Sequence, residues 1–193
     1  ELIYLRGSYG KDLKKTIEIA MPDPALSLAE DLYAAMVQHD ILLDSLSYVT
    51  TGKRLANEGI RLTAPKTELD MHQSPPLKDI IHWFNQKSIN LYGEALLKSF
   101  GKLSGNKSDT EEAAKLLVKY WEQKLKIAGG ELNTKDGCVL SAQHRVTTTA
   151  MAMIMFYAKS RPWFADFEKS LSTSTYTSMK SGTIGRASGY AGY

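Results

Sequence analysis

The sequence predicts an α+β fold, with helices packed on a mainly antiparallel sheet. Three observations predict it. Amphipathic stripes of helical period recur from Pro24 to Ala158. The last stretch, Ser172 to Tyr193, is instead rich in Ser, Thr, Gly and Tyr and reads as two strands around a glycine-bearing loop. Helices and strands also mix without the strict βαβ alternation of a parallel sheet. The 193 residues, 43% of them hydrophobic, suffice for one sizeable core and a small appendage.

Leu2 to Arg6 and Thr16 to Ala20 read as short strands joined by a turn around Gly7 to Lys11. Asp23-Pro24 opens a helix, with Asp as N-cap and Pro at the first helical position. Ala25, Leu28, Ala29, Leu32, Ala35 and Met36 give that helix an apolar face. Residues 41 to 73 read as irregular strands, best at Ser47 to Thr50 and Ile60 to Thr63. Ser74-Pro75-Pro76 then starts a helix whose Leu77, Ile80, Ile81 and Phe84 fall at i, i+3, i+4 and i+7. A second stripe, Leu91, Ala95, Leu96 and Phe100, follows, and Gly101 to Asn106 reads as a polar loop. Ser108 with Glu111 makes a capping box for a helix through Lys126, stopped by Gly129-Gly130. Ala114, Leu117, Tyr120, Trp121 and Leu125 are its core-type positions. Asp136-Gly137 is a turn, and Val146-Thr147 leads into a Met-rich helix from Thr148 to Ala158.

Composition excludes several classes. The net charge of +3 comes from scattered Lys and Arg, with no basic helix or aromatic-interleaved patch, so no nucleic-acid partner is expected. No apolar run approaches the length that spans a membrane. Glu1 follows no initiator Met or signal-peptide pattern and is expected to be a processing point or an artificial boundary. Cys138 has no Cys or His at metal-ligand spacing and is expected to be a small semi-buried residue. Met151, Met153 and Met155 are expected to fill gaps in a core rather than to bind a soft metal.

Two short motifs carry chemistry. Ser88-Ile89-Asn90 lies between the two central helical stripes, where a hydroxyl and a carboxamide can face a cleft. The bland alternative is a local cap bonded to backbone N–H groups. Lys180-Ser181-Gly182-Thr183 lies in the strand-like tail. There an ammonium attracts a carboxylate, a hydroxyl hydrogen-bonds it, Gly admits a substrate backbone, and the next N–H can donate to an oxyanion. The bland alternative is a solvated strand lysine beside an exposed hydroxyl. Either motif alone is a cheap match; their occurrence together and in this order is not.

With their flanks, these motifs resemble class C low-molecular-mass penicillin-binding proteins, the D-alanyl-D-alanine carboxypeptidase/endopeptidases. Pro22-Asp23-Pro24-Ala25-Leu26 is similar to that family's helix opening, and His72-Gln73-Ser74-Pro75-Pro76-Leu77 to the segment leading into its active-site helix. Lys87-Ser88-Ile89-Asn90-Leu91-Tyr92 with Glu94 resembles its Ser-x-Asn region. Asp136-Gly137, Leu140-Ser141 and Arg145-Val146 resemble its Asp-Gly-Ser-Gly-Leu-Ser segment, and Lys180 to Thr183 with Gly189 to Tyr193 its Lys-Thr-Gly strand and the next one.

The resemblance implies a β-lactamase/penicillin-binding-protein-like transpeptidase fold, incomplete at both ends, with residues 1–193 forming part of a serine-peptidase domain. It implies a periplasmic or cell-envelope serine D-Ala-D-Ala carboxypeptidase/endopeptidase that hydrolyses peptidoglycan stem peptides through an acyl-enzyme, binds penicillin and needs no metal or organic cofactor. Ser88 relays a proton, Asn90 holds the substrate amide, and Lys180 supplies positive potential. Ser181 binds the terminal carboxylate, Gly182 admits the substrate, and the Thr183 N–H is an oxyanion donor. Departures accompany it. The Ser-x-x-Lys nucleophile has no counterpart here, since Ser8 to Lys11, Ser99 to Lys102 and Ser104 to Lys107 are chance spacings in a turn and a loop region. The chain alone is therefore expected to be inactive. Cys138-Val139 replaces Ser-Gly, and Ala142 stands where many members have Arg. The link from Leu171 to Lys180 is short, which implies residues absent after Leu171, deleted or not represented. A β-lactamase or esterase on the same fold and a non-catalytic peptidoglycan-binding domain remain alternatives.

Overall fold

The computed structural model describes residues 10, 12, 14, 21–41, 49–60, 70–107, 109–184 and 187–193. The expected strands at Leu2 to Arg6 and Thr16 to Ala20, and Ser8, Lys11 and Ser108, lie outside the described residues, as do Ser47, Tyr48 and Arg61 to Thr63; Val49, Thr50 and Ile60 are described and are not strand. Two units divide the chain, Glu1–Met71 and His72–Tyr193.

In the first unit, Asp23 caps α1 (Pro24–Gln38) by accepting the Leu26 N–H at 3.0 Å, with Pro at the helix start as expected. No residue of α1 is buried, and Leu28 and Leu32 of the expected apolar face are 71% and 61% exposed. A second helix, α2 (Gly52–Asn57), replaces the irregular strand expected there. Thr51 caps it by accepting the Arg54 N–H, and the Arg54 guanidinium returns to the Asp23 carboxylate at 3.4 Å.

In the second unit, α3 (Leu77–Lys87), α4 (Asn90–Gly105) and α5 (Thr110–Leu125) follow one another, and α4 packs along α5. The core there is Leu97, Ala113 and Ala114, with Leu117 against them. α4 buries Gly93, Leu97 and Gly101, one position from the Ala95–Leu96 stripe expected from large side chains, and Leu91 is 72% exposed. The physical reason is close backbone approach. A Cβ on Gly101 would lie 2.5 Å from the Ala113 Cβ, and one on Gly105 would lie 2.7 Å from Leu116 Cδ1. The expected polar loop at Gly101 is thus helix, continued until Asn106 turns left-handed. Asp109 caps α5 by accepting the Glu111 and Glu112 N–H groups. An aromatic ladder, Phe100 to Tyr120 to Trp121 to Tyr157, joins α4 and α5 to the Met-rich helix, with centroids 5.1–5.7 Å apart.

Strands β1 (Leu132–Asn133) and β2 (Arg145–Val146) pair antiparallel around the Asp136-Gly137 turn. Thr147 caps α6 (Thr148–Lys159), and α7 (Phe164–Ser170) follows. The tail forms three antiparallel strands rather than two, β3 (Ser172–Thr173), β4 (Ser178–Ile184) and β5 (Ala187–Gly192), in that order across the sheet. The link from Leu171 to Lys180 closes as a tight hairpin in which the Ser174 N–H donates to the Thr177 carbonyl at 2.7 Å. The Tyr193 hydroxyl donates to the Met155 carbonyl at 2.6 Å, and its ring packs edge-on against Phe164, so the sheet lies against α6 and α7. Among the described residues no helix is long and apolar enough to cross a membrane.

Candidate active site

Ser88 ends α3 in the left-handed region, at φ 53° and ψ 48°. That conformation costs a non-glycine residue about 1 kcal/mol and turns the chain sharply. Ile89 is extended, and α4 begins at Asn90. The residue that caps the start of α4 is Ile89, which makes no side-chain cap hydrogen bond, and Ser88 and Asn90 are exposed. Among the described residues, then, the local-cap reading has no hydrogen bond behind it.

Two consecutive residues at the end of α3 hold the last residue of α7. The Asn85 Nδ2 donates to the Ser170 Oγ at 2.7 Å, and the Gln86 Nε2 donates to the Ser170 carbonyl at 2.8 Å. The Ser170 hydroxyl in turn donates to the Phe167 carbonyl. Two residues later Ser172 pairs with Met179, which precedes Lys180. A short chain of contacts therefore runs from the Ser88 junction to the start of the lysine strand.

The register of β4 decides what that strand presents. Ser178 and Tyr193 exchange both backbone hydrogen bonds, so Lys180 and Gly182, two and four residues on, also turn their backbone groups towards β5. Met179, Ser181 and Thr183 turn theirs the other way. β3 meets only Ser178 and Met179. The N–H and C=O groups of Ser181 and Thr183 therefore face a strand edge that β3 does not cover. The Lys180 ammonium donates to the Ser181 carbonyl at 2.8 Å, which brings it to that same edge. Lys180 shares a sheet face with Tyr193, the face that meets α6 and α7, whereas Ser181 and Thr183 lie on the opposite face. A ligand reaching both the ammonium and the Ser181 hydroxyl must straddle the strand edge. Thr183 Oγ1 and Ser188 Oγ lie 3.0 Å apart across the hairpin.

Sequence reasoning missed how a third segment is held. Gly93 in the first turn of α4 and Gly137 in the Asp136 turn touch backbone to backbone; a Cβ on either would fall on the other's carbonyl oxygen. The Glu94 carboxylate accepts the Gly137 N–H at 2.8 Å and the Thr110 hydroxyl at 3.3 Å. Asp136 accepts the Ser141 N–H, the Val139 N–H and the His144 Nε2, the last at 2.9 Å. Burial alone would raise the Asp136 carboxyl, but the bonds from His144, Ser141 and Val139 together hold it below its ordinary range. Glu94, Asp136 and Cys138 come within ligand distance of one another, yet both carboxylates already serve backbone donors. Burial pushes the Cys138 thiol up, with Glu94 and Asp136 adding to the rise, so it is no ready thiolate.

Because the folded carboxyl of Asp136 is depressed, its contribution is full above the ordinary carboxylate pKa of about 3.9 and fades as pH falls below it. Amide exchange at Val139 and Ser141 is expected to speed up across that fall. Asp136→Asn is expected to cost about 2 kcal/mol at neutral pH, read by denaturant unfolding.

The spacing Ser99 to Lys102 lies within α4, and Ser104 to Lys107 at its end, not in the loop region expected. Ser99 is exposed and far from the helix start, so no helix N-terminus polarises it. A shallow groove of about 480 Å³ along α5, lined by Glu111, Lys115, Lys119 and Lys135 among others, shares no residue with either motif.

A model of the D-Ala-D-Ala carboxypeptidase 3 (S13) family matches residues 3–191. No curated protein sequence matches significantly. Among solved structures, penicillin binding protein 4 (dacB) from Haemophilus influenzae, in complex with a β-lactam, matches with a TM-score of 0.52 at 18% identity. The match covers 79% of this chain but only 38% of that one. It shows the fold, the penicillin-binding transpeptidase fold. Nearly the whole sequence fits the family pattern, and the chain therefore belongs to the D-Ala-D-Ala carboxypeptidase 3 (S13) family.

Proposed function

We propose that this chain supplies the relay and the carboxylate-binding strand of a serine D-Ala-D-Ala carboxypeptidase/endopeptidase. Its substrate would be peptidoglycan stem peptides in the cell envelope, on the periplasmic side. The observation that carries the reading is the edge of β4 left uncovered among the described residues, to which the Lys180 ammonium and the backbone of Ser181 and Thr183 turn.

The chemistry follows from that edge. A serine of a Ser-x-x-Lys pair outside these 193 residues attacks the carbonyl of the penultimate D-Ala, its lysine taking the proton. The Thr183 N–H donates to the developing oxyanion, and an extended stem peptide lies along the β4 edge. Ser88, held at the α3–α4 junction, passes a proton to the leaving D-Ala amine, and Asn90 holds the substrate amide. Lys180 lends positive potential to that transfer and to the terminal carboxylate, which also meets the Ser181 hydroxyl across the close approach that Gly182 permits. Water then hydrolyses the acyl-enzyme. A β-lactam enters the same route, because its strained amide stands in for the scissile peptide bond.

The test is release of D-Ala from a stem pentapeptide by the full-length protein, wild type and Thr183→Pro. Proline removes the N–H that faces the uncovered edge and spares the ladder to β5. The wild type is expected to release D-Ala, and the variant to do so on the order of 100- to 1000-fold more slowly. Muropeptide binding without release would point instead to a non-catalytic domain. Rapid turnover of β-lactams would point to a β-lactamase.

A further inference from the structure

Asn85 and Ser170 are the buried polar side chains of the described residues, 9% and 0% exposed, and they bond each other. Neither sits in the middle of its element. Asn85 lies in the last turn of α3, three residues before Ser88, and Ser170 is the last residue of α7, two before β3. The Ser170 hydroxyl is satisfied both ways, accepting from Asn85 and donating to Phe167, while its carbonyl accepts from Gln86. Stability alone does not ask for this. Replacing both partners of a buried hydrogen bond by apolar groups of similar shape is often nearly neutral, because no polar group is left unpaired. What hydrogen bonds add over apolar contact is direction. Two of them run from α3 to Ser170 and set the rotation and reach of the α3 end relative to the α7 end, while the third, to Phe167 within α7, fixes the hydroxyl that receives Asn85.

We propose that Asn85 and Ser170 are positioning residues that lock the Ser88–Asn90 junction in register with the strand carrying Lys180. The inference rests on the reading of the site given above. In a proton relay the donor and the cation must hold their separation to within a few tenths of an ångström, and a displacement of about 1 Å can cost on the order of 100-fold. Ser88 is held in a left-handed conformation, so small slippage of the α3 end would swing its hydroxyl. Within the packing of α3 on α7, the buried network is the directional contact that opposes that slippage.

The experiment uses the full-length protein and the double variant Asn85→Leu/Ser170→Ala, which removes both polar partners together. Active sites are titrated with a fluorescent penicillin, and kcat and KM for D-Ala release are expressed per titrated site. The expected result is a thermal midpoint near the wild-type value, with kcat per site lower by on the order of 10- to 100-fold and KM little changed. Asn85→Ala and Ser170→Ala singly are expected to lower kcat per site as much as both together, since they break one network. A double variant with fewer titratable sites but wild-type kcat per site would overturn the inference, because the network would then serve folding alone. Gln86→Ala keeps the test decisive should the buried variants fail to fold. Its side chain is exposed, and a several-fold fall in kcat per site is expected, whereas no fall overturns the inference. Lys180→Ala is measured beside them. If it too leaves kcat unchanged, the reading of the site fails and the inference with it; if only Lys180→Ala lowers kcat, the positioning role alone fails.

Discussion

Replacing Lys180 by Ala is expected to slow β-lactam acylation of the full-length protein by on the order of 100- to 10,000-fold, the range for losing one member of a proton-transfer relay. The geometry makes the prediction specific. The ammonium is drawn to the uncovered edge of β4 by the Ser181 carbonyl, 2.8 Å away, and makes no ion pair among the described residues. Its charge is therefore not neutralised by a neighbouring carboxylate among those residues. Lys180 is only half-buried, so its removal should change stability by no more than about 0.5 kcal/mol. A stopped-flow acylation trace and a thermal melt on the same preparation separate the two effects. A large loss of rate without loss of stability is the expected pair.

Gly137→Ala is expected to do the reverse, costing about 3 kcal/mol or more of stability. The new Cβ would fall on the Gly93 carbonyl oxygen and lie 2.5 Å from the Gly93 carbonyl carbon, and both are helix backbone atoms that cannot rotate away. Separating the turn from α4 would also stretch the bond from the Gly137 N–H to Glu94. For a unit of this size the loss corresponds to roughly 10 °C in Tm. Gly129→Ala is the matched control, since a Cβ there has nothing within 4 Å. If both variants melt alike, the close approach of Gly93 and Gly137 is not what holds the turn.

Local signals in the sequence were readable because local chemistry causes them. Asp23 before Pro24, and Thr147 before the helix that begins at Thr148, depend on neighbours a few residues away. The glycines misled, for the opposite reason. Gly101 and Gly105 look like helix breakers in sequence, yet they are helical because Ala113 and Leu116 press against them from α5. For the same reason the buried face of α4 runs through Gly93, Leu97 and Gly101 instead of its larger neighbours. Helix α2 was hidden by its six-residue length and by a glycine at its first position.

The two motifs of the site were legible as residue types, but what fixes them in place was not. The Asn85–Ser170 bond joins residues 85 apart, and the only hint was a carboxamide one turn beyond Ile81, on an otherwise apolar stripe. Among the described residues, β3 stops after two residues and leaves the rest of the β4 edge uncovered, which a Ser- and Thr-rich stretch does not reveal. The contact between Gly93 and Gly137 brings Glu94 to the Asp136 turn, and neither residue type announces the other.

The most direct test of the central claim is mass spectrometry of the full-length protein after exposure to penicillin. One covalent adduct is expected, on the serine of a Ser-x-x-Lys pair outside residues 1–193, formed far more slowly in Lys180→Ala. No adduct at all, or an adduct on Ser88, Ser99 or Ser104, would contradict it.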